Sequence, residues 1–185
     1  TGAGISRGDI EWNTALLNLG ILEARQYFLD IVKGYMQLPG FRVYRQDFNA
    51  NPLAYWRDNE EPDRQGITEI KYIEGLYAYW DAIAAAYPDS FREECASGGR
   101  RIDLETIMRM HVHQKSDLWF NNEVDQASLM ALSHYLPNGV ISVPVNRLDD
   151  YSFHSAMASS LIPGWIADAA DFNIQRAKQM TDLYC

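Results

Sequence analysis

Apolar and polar residues alternate along this chain with two different periods. From Glu23 to Met36 the apolar positions are Ala24, Tyr27, Phe28, Ile31, Val32, Tyr35 and Met36, the spacing of one helical face. Pro39-Gly40 stops that helix. Upstream, the run from Trp12 to Leu19 holds Ala15-Leu16-Leu17 followed by Asn18-Leu19-Gly20, which predicts a strand end and a turn. Phe41 to Phe48 reads as a strand in which Arg45 and Asp47 share a face by period-two alternation. Residues 49–66 carry Pro52 and Pro62 and predict a long polar loop, a length usually kept for function. Thr68 is placed to cap the next helix, whose stripe is Ile70, Ile73, Leu76, Tyr77, Trp80, Ile83 and Ala84.

The second half repeats the alternation. Phe91 to Ala96 predicts a short strand running into Ser97-Gly98-Gly99. Asp103 starts a brief helix through Met108, and His111 to Ser116 is a strand ended by Asp117. Asp125 is placed to cap a helix through about His134, and Pro137-Asn138-Gly139 turns into a strand from Val140 to Val143. Residues 153–166 are apolar and rich in small side chains, and their pattern does not separate helix from strand. Phe172 to Leu183 predicts a final helix with Ile174, Ala177, Lys178 and Met180 on or near one face. Strands alternating with helical crossovers imply a parallel sheet and an α/β fold. About five βα units at roughly 30 residues each make more than half of an eightfold barrel.

Composition narrows the function. The chain has 185 residues, enough for one domain with a core. A formal net charge of −9 argues against nucleic acid and anionic membranes as partners. No apolar stretch approaches the ~20 residues that span a bilayer. Eleven Tyr and five Trp suit a sugar site, but such rings more often build a core. Cys95 and Cys185 are the two cysteines; two make no disulfide framework, and the compartment stays undecided. The chain opens on Thr1-Gly2-Ala3-Gly4 and stops at Leu183-Tyr184-Cys185 without a capping glycine or polar tail. Residues 1–185 therefore read as one partial barrel domain, truncated at both ends.

The chemistry-bearing residues lie at strand ends. Val43-Tyr44-Arg45-Gln46-Asp47-Phe48-Asn49 brings a carboxylate to the C-terminal end of a strand, where barrel enzymes place catalytic groups. His113-Gln114-Lys115-Ser116-Asp117 ends the same way. Two aspartates at two strand ends are the minimum for glycoside hydrolysis. Asp47 can attack an anomeric carbon and form a covalent intermediate. Arg45 beside it favours the ionised form and has the donors to grip a sugar hydroxyl. Asp117 can protonate a leaving oxygen. Cys95-Ala96-Ser97-Gly98-Gly99 lacks the lysine and spacing of a phosphate loop. Its glycines either let a ligand approach the backbone or form a plain turn. His111-x-His113 has no third ligand at motif spacing, so no metal is assigned. No G-x-S-x-G occurs.

Taken together, Tyr44 to Asn49, Cys95 to Asp103 and Ser116-Asp117 resemble glycoside hydrolase family 36, the melibiase-type α-galactosidases. Leu16 to Gly20 and Asp63 to Glu69 resemble bacterial members too, and the resemblance runs from about Leu16 to the end. It implies a (β/α)8 barrel represented by its C-terminal part, about strands three or four to eight. It implies retaining hydrolysis of terminal α-galactosides, with Asp47 as nucleophile and Asp117 as acid/base. Cys95, Ser97, Gly98 and Gly99 match the segment lining the galactose pocket, and Asn49 matches an amide common after the nucleophile. Arg45 stands where many members carry a sugar-binding lysine, a change that keeps charge but not geometry. No cofactor is implied. The family's early strands, with an aspartate pair for the galactose hydroxyls, have no counterpart here, nor do its flanking β domains. The 185 residues alone are therefore expected to be inactive. The alternatives are a related α-glycosidase, such as one acting on N-acetylgalactosamine, or a non-catalytic barrel fragment that binds or assembles. Linkage, aglycone and homo-oligomer formation are left open.

Overall fold

The computed structural model describes residues 4–6 in backbone, 15–118 and 120–185. Trp12, named above, lies outside the described residues. The chain packs as two units. One comprises residues 1–44 and 49–92, the other residues 45–48 and 93–185.

In the first unit, β1 (Gly4–Ser6) pairs antiparallel with β2 (Ala15–Leu17). The sequence predicts β2 but carries no signal for β1. Helix α1 (Leu22–Met36) packs on α3 (Ile67–Ala86), with Phe28 stacked on Tyr79 at 5.2 Å between ring centroids. Its buried positions are Ala24, Leu29 and Met36, whereas Tyr27, Ile31 and Tyr35 are exposed. The expected stripe is therefore rotated toward Leu29. The polar segment 49–66 is no bare loop. It contains α2 (Leu53–Arg57), which buries Tyr55 and Trp56 and sets Trp56 against Tyr72 at 5.6 Å. Thr68 lies inside α3 and does not cap it; the N-cap is Gly66, in the left-handed region. Glu60 instead accepts the orphan N–H groups of Gly66 (2.9 Å) and Thr68 (2.6 Å). Burial works to raise the pKa of Glu60, but those two hydrogen bonds and Arg57 hold it down at about 2. The buried face of α3 is Tyr72, Gly75, Leu76, Tyr79, Trp80 and Ile83. Ile70, expected in the stripe, is exposed.

A five-stranded sheet has the order β3–β4–β5–β6–β7, from β3 (Val43–Asp47), β4 (Phe91–Cys95), β5 (Val112–Gln114), β6 (Ile141–Val145) and β7 (Ser160–Pro163). The pairs β4/β5, β5/β6 and β6/β7 are parallel. Strand order follows chain order, as in a barrel wound in one sense rather than a doubly wound sheet. Register sets Glu94 beside His113, and His113 beside Ile141. These residues share one face, while Glu93, Cys95, Gln114 and Ser142 share the other.

The second unit supplies the helices that follow β4 to β7. Helix α4 (Leu104–Ile107) is capped by Asp103, whose carboxylate accepts the Thr106 N–H at 2.9 Å. Helix α5 (Asn122–Leu132) is capped by Asn121, not by Asp125. Asp125 sits in its first turn, buried, and pairs with Lys115. The undecided stretch 153–166 resolves into the end of α6 (Asp150–Ala156), a turn and β7. Val143, Val145 and Ala156 form a core cluster with Leu161 packed on it. Helix α7 (Ile174–Tyr184) buries Ala177 and Met180. Among the described residues, no helix is long and apolar enough to cross a membrane.

Candidate active site

The second unit contains both candidate aspartates, Asp47 at the end of β3 and Asp117 three residues beyond β5. Asp47 is the last residue of β3 and is exposed. Alternation puts Arg45 on its face. Arg45 Nη1 pairs with Glu93 of β4 at 2.5 Å, and Arg45 Nη2 donates to Gln114 Oε1 of β5, also at 2.5 Å. Burial works against the Arg45 charge, but the hydrogen bond and charge of Glu93, with Asp47 adding, hold its pKa above the usual value.

Gln114 turns its other end to the second aspartate. Its Nε2 donates to Asp117 Oδ1 at 2.9 Å and toward the Ser116 carbonyl at 3.3 Å. A continuous run of polar contacts therefore leads from Arg45, on the strand of Asp47, through Gln114 to Asp117. Neither Gln114 nor Glu93 was among the site residues expected from sequence. Period two places Glu93 on the face of Cys95, and Gln114 is the final residue of its strand. These were the available signals, and neither reveals a contact that depends on register between strands.

Cys95, at the end of β4, is buried. Burial pushes its thiol up to about 11, and a hydrogen bond to Asp47 with the charge of that carboxylate pushes the same way; the Gly98 N–H works against both. The chain then doubles back through Ser97 (φ 49°) and Gly98 (φ 75°). The Ala96 N–H donates to the Gly98 carbonyl at 3.1 Å. Arg100 braces the turn, donating to Ser97 Oγ at 2.8 Å and to the Ala96 carbonyl at 3.3 Å.

The two glycines are needed because backbone lies against them. A Cβ on Gly98 would stand 2.9 Å from the Asp117 nitrogen and 2.9 Å from Ser116 Cα. On Gly99 it would stand 2.5 Å from the Lys115 carbonyl oxygen. The segment that comes closest to these glycines is thus the one carrying Asp117. Lys115 itself turns toward α5, where its ammonium pairs with Asp125; the two side chains are 2% and 1% exposed.

Asn49 is exposed beyond the end of β3 and counts with the first unit. Phe48 stays with the second. Its N–H donates to the Cys95 carbonyl at 3.0 Å, and the Arg101 guanidinium lies 5.1 Å from its ring centroid.

On the opposite face, buried Glu94 receives Arg101 Nε at 2.7 Å and lies 4.0 Å from His113 Nδ1. Burial raises the Glu94 pKa to about 7; Arg101 opposes the shift, and the charges of Asp103 and Asp47 add to it. Burial lowers His113 to about 4, with Asp103 opposing. His111 precedes β5 and is exposed, so the two histidines do not share a strand face. Among the described residues, no group of three His, Cys, Asp or Glu side chains is placed to hold a metal ion.

No family model matches the chain. In sequence it is similar to α-galactosidase 1 of Pediococcus pentosaceus, at 24% identity over 84% of this chain and 22% of that protein. It is also similar to α-galactosidase C of Emericella nidulans, at 26% identity over 61% of this chain and 13% of that protein. In structure it matches the α-galactosidase of Lactobacillus brevis with a TM-score of 0.83 at 18% identity, over 98% of this chain and 26% of that one. It matches the GH36 α-galactosidase AgaA of Geobacillus stearothermophilus with a TM-score of 0.81 at 20% identity, over 97% and 26%. The chain thus spans about a quarter or less of the length of these relatives. Its parallel sheet with alternating helices is part of their barrel, as expected from sequence. Sequence similarity and fold point the same way: the chain is similar to α-galactosidases in sequence and to part of the GH36 α-galactosidase barrel in fold.

Proposed function

We propose that these residues form the C-terminal part of the barrel of a retaining α-galactosidase, with Asp47 as nucleophile and Asp117 as acid/base. The observation that carries this reading is the chain of contacts from Arg45 through Gln114 to Asp117, which ties the strand of Asp47 to the second carboxylate. Two structures of variants of the Geobacillus enzyme, in complex with stachyose and with raffinose, support it. They carry substitutions at two aspartates seventy positions apart, the separation of Asp47 and Asp117.

In the first step an Asp47 carboxylate oxygen bonds to the anomeric carbon as the glycosidic C–O bond breaks, and Asp117 gives its proton to the leaving oxygen. In the second, Asp117 takes a proton from water, the water oxygen bonds to the anomeric carbon, and the Asp47 ester is released. Cys95, Ser97, Gly98 and Gly99 border the galactosyl site. Arg45 has both terminal nitrogens engaged by Glu93 and Gln114. It acts here as the fixed positive charge beside Asp47, with sugar contact secondary.

The test is Asp47→Asn in the full gene product, assayed on an aryl α-galactoside. Turnover falls by several orders of magnitude, and NMR of the parent enzyme shows the α-anomer of galactose forming first. A variant keeping about a tenth of the parent kcat, a loss of only ~1.4 kcal/mol, would remove Asp47 from the nucleophile's place.

A further inference from the structure

Asp117 lies in a short segment after β5, exposed to water, yet general-acid chemistry needs its carboxyl group fixed to a fraction of an ångström. Two features hold it. Gly98 and Gly99 press on the backbone of residues 115–117. Gln114 is the side chain that fixes the carboxylate itself, with Nε2 on Asp117 Oδ1 at 2.9 Å. An amide free to rotate would itself be poorly placed. Gln114 is not free, because Arg45 donates to its oxygen at 2.5 Å and is held in turn by Glu93 at 2.5 Å. The Arg45 bond also assigns the amide, since an oxygen must face the guanidinium and the nitrogen must then face Asp117. Gln114 itself is buried, which limits the other positions its amide can take.

From this geometry we infer that Gln114 is the positioning residue for the acid/base, locked by Arg45 and aiming Asp117 at the leaving oxygen. The inference rests on the galactosidase reading above. Gln114 touches no reacting atom; it acts through Asp117. Its loss therefore weakens proton donation specifically, and the effect depends on how much the leaving group needs a proton. A nitrophenolate leaves almost unaided, whereas a sugar alkoxide does not.

Three variants of the full gene product test it, each assayed on nitrophenyl α-galactoside and on a galactosyl disaccharide. Gln114→Met keeps the length and removes both polar ends. Gln114→Glu keeps an acceptor for Arg45 but has no N–H for Asp117 and sets a like charge beside it. Both are expected to lower kcat on the disaccharide by about 10- to 100-fold, the worth of one charged hydrogen bond. Both are expected to leave KM within about twofold and to lower turnover of the nitrophenyl substrate far less. Gln114→Glu at parent activity on both substrates would overturn the inference. So would an equal loss on both, which is what general damage to the fold produces; circular dichroism and the melting temperature report such damage separately. Asp117→Asn is the third variant. If it turns over the disaccharide like the parent, the acid/base reading fails, and the inference resting on it falls with it. If Asp117→Asn shows the leaving-group dependence and the Gln114 variants do not, only the role of Gln114 is wrong.

Discussion

Gly98→Ala is a single-methyl probe of the place where the turn after β4 meets the segment carrying Asp117. Two costs add. Gly98 has φ +75°, and a side chain in the left-handed region costs ~1–2 kcal/mol. The new Cβ would also stand 2.9 Å from the Asp117 nitrogen and 2.9 Å from Ser116 Cα. Both are backbone atoms that cannot swing aside, so a shift of several tenths of an ångström is required, and overpacking of this kind costs ~1–3 kcal/mol. The sum is a loss of ~2–5 kcal/mol. Gly40→Ala isolates the first cost, because Gly40 has φ +88° and nothing within 4 Å of its Cβ position. Gly139→Ala controls for both, with neither a positive φ nor a neighbour. Urea denaturation of the full gene product should rank the losses as Gly98→Ala, then Gly40→Ala, then Gly139→Ala near the parent. The backbone shift should also move Asp117, so turnover of a galactosyl disaccharide should fall more than that of a nitrophenyl galactoside. A Gly98→Ala protein no less stable than Gly40→Ala, within about 0.5 kcal/mol, would refute the packing argument.

Two further predictions concern buried charge. Lys115→Met leaves Asp125 enclosed without its cation and should cost ~3–5 kcal/mol, whereas Lys115→Met with Asp125→Leu should recover most of that loss. A single variant within about 1 kcal/mol of the parent would show that the pair is not buried as described. Glu94 and His113 make opposed contributions to pH dependence. The folded pKa of Glu94, about 7, lies above the ~4.3 of an unfolded glutamate. Its contribution is present below the unfolded value and lost as pH rises through about 7. The folded pKa of His113, about 4, lies below the ~6.5 of an unfolded histidine. Its contribution is present above the unfolded value and lost as pH falls through about 4. The two slopes offset each other between roughly pH 4.5 and 6.5. Relative to the parent, Glu94→Gln should become more stable as pH rises across that window, and His113→Phe less stable. Slopes of the same sign in urea titrations would sink the pairing.

The sequence by itself determined the order of β2 to β7 and the longer helices among them, and it placed the two aspartates at or just beyond the ends of β3 and β5. Its two periods report the type and extent of an element, although the buried face of α1 is turned toward Leu29. Side chains three or four apart share a helix face and side chains two apart share a strand face, so α1, α3 and β3 to β5 are legible within a residue or two. Local hydrogen bonding was legible as well, as where Asp103 caps α4. What depended on distant partners was not. Segment 49–66 reads as loop because its aromatics find Tyr72 only after folding. Thr68 and Asp125 both look like caps. The bonds at α3 come instead from Glu60, six residues before the Gly66 cap, and Asp125 is drawn inward by Lys115. Gln114 and Glu93 gain their meaning from register alone, since Arg45 reaches both only when β3, β4 and β5 lie side by side in order. Gly98 and Gly99 read equally as room for a ligand or as a plain turn, and only the folded chain shows the backbone of residues 115–117 lying against them. Periodicity records which kind of element a segment forms and roughly where it begins and ends. Which residue meets which across a sheet is a property of three dimensions, set by pairing register, and a linear pattern does not hold it.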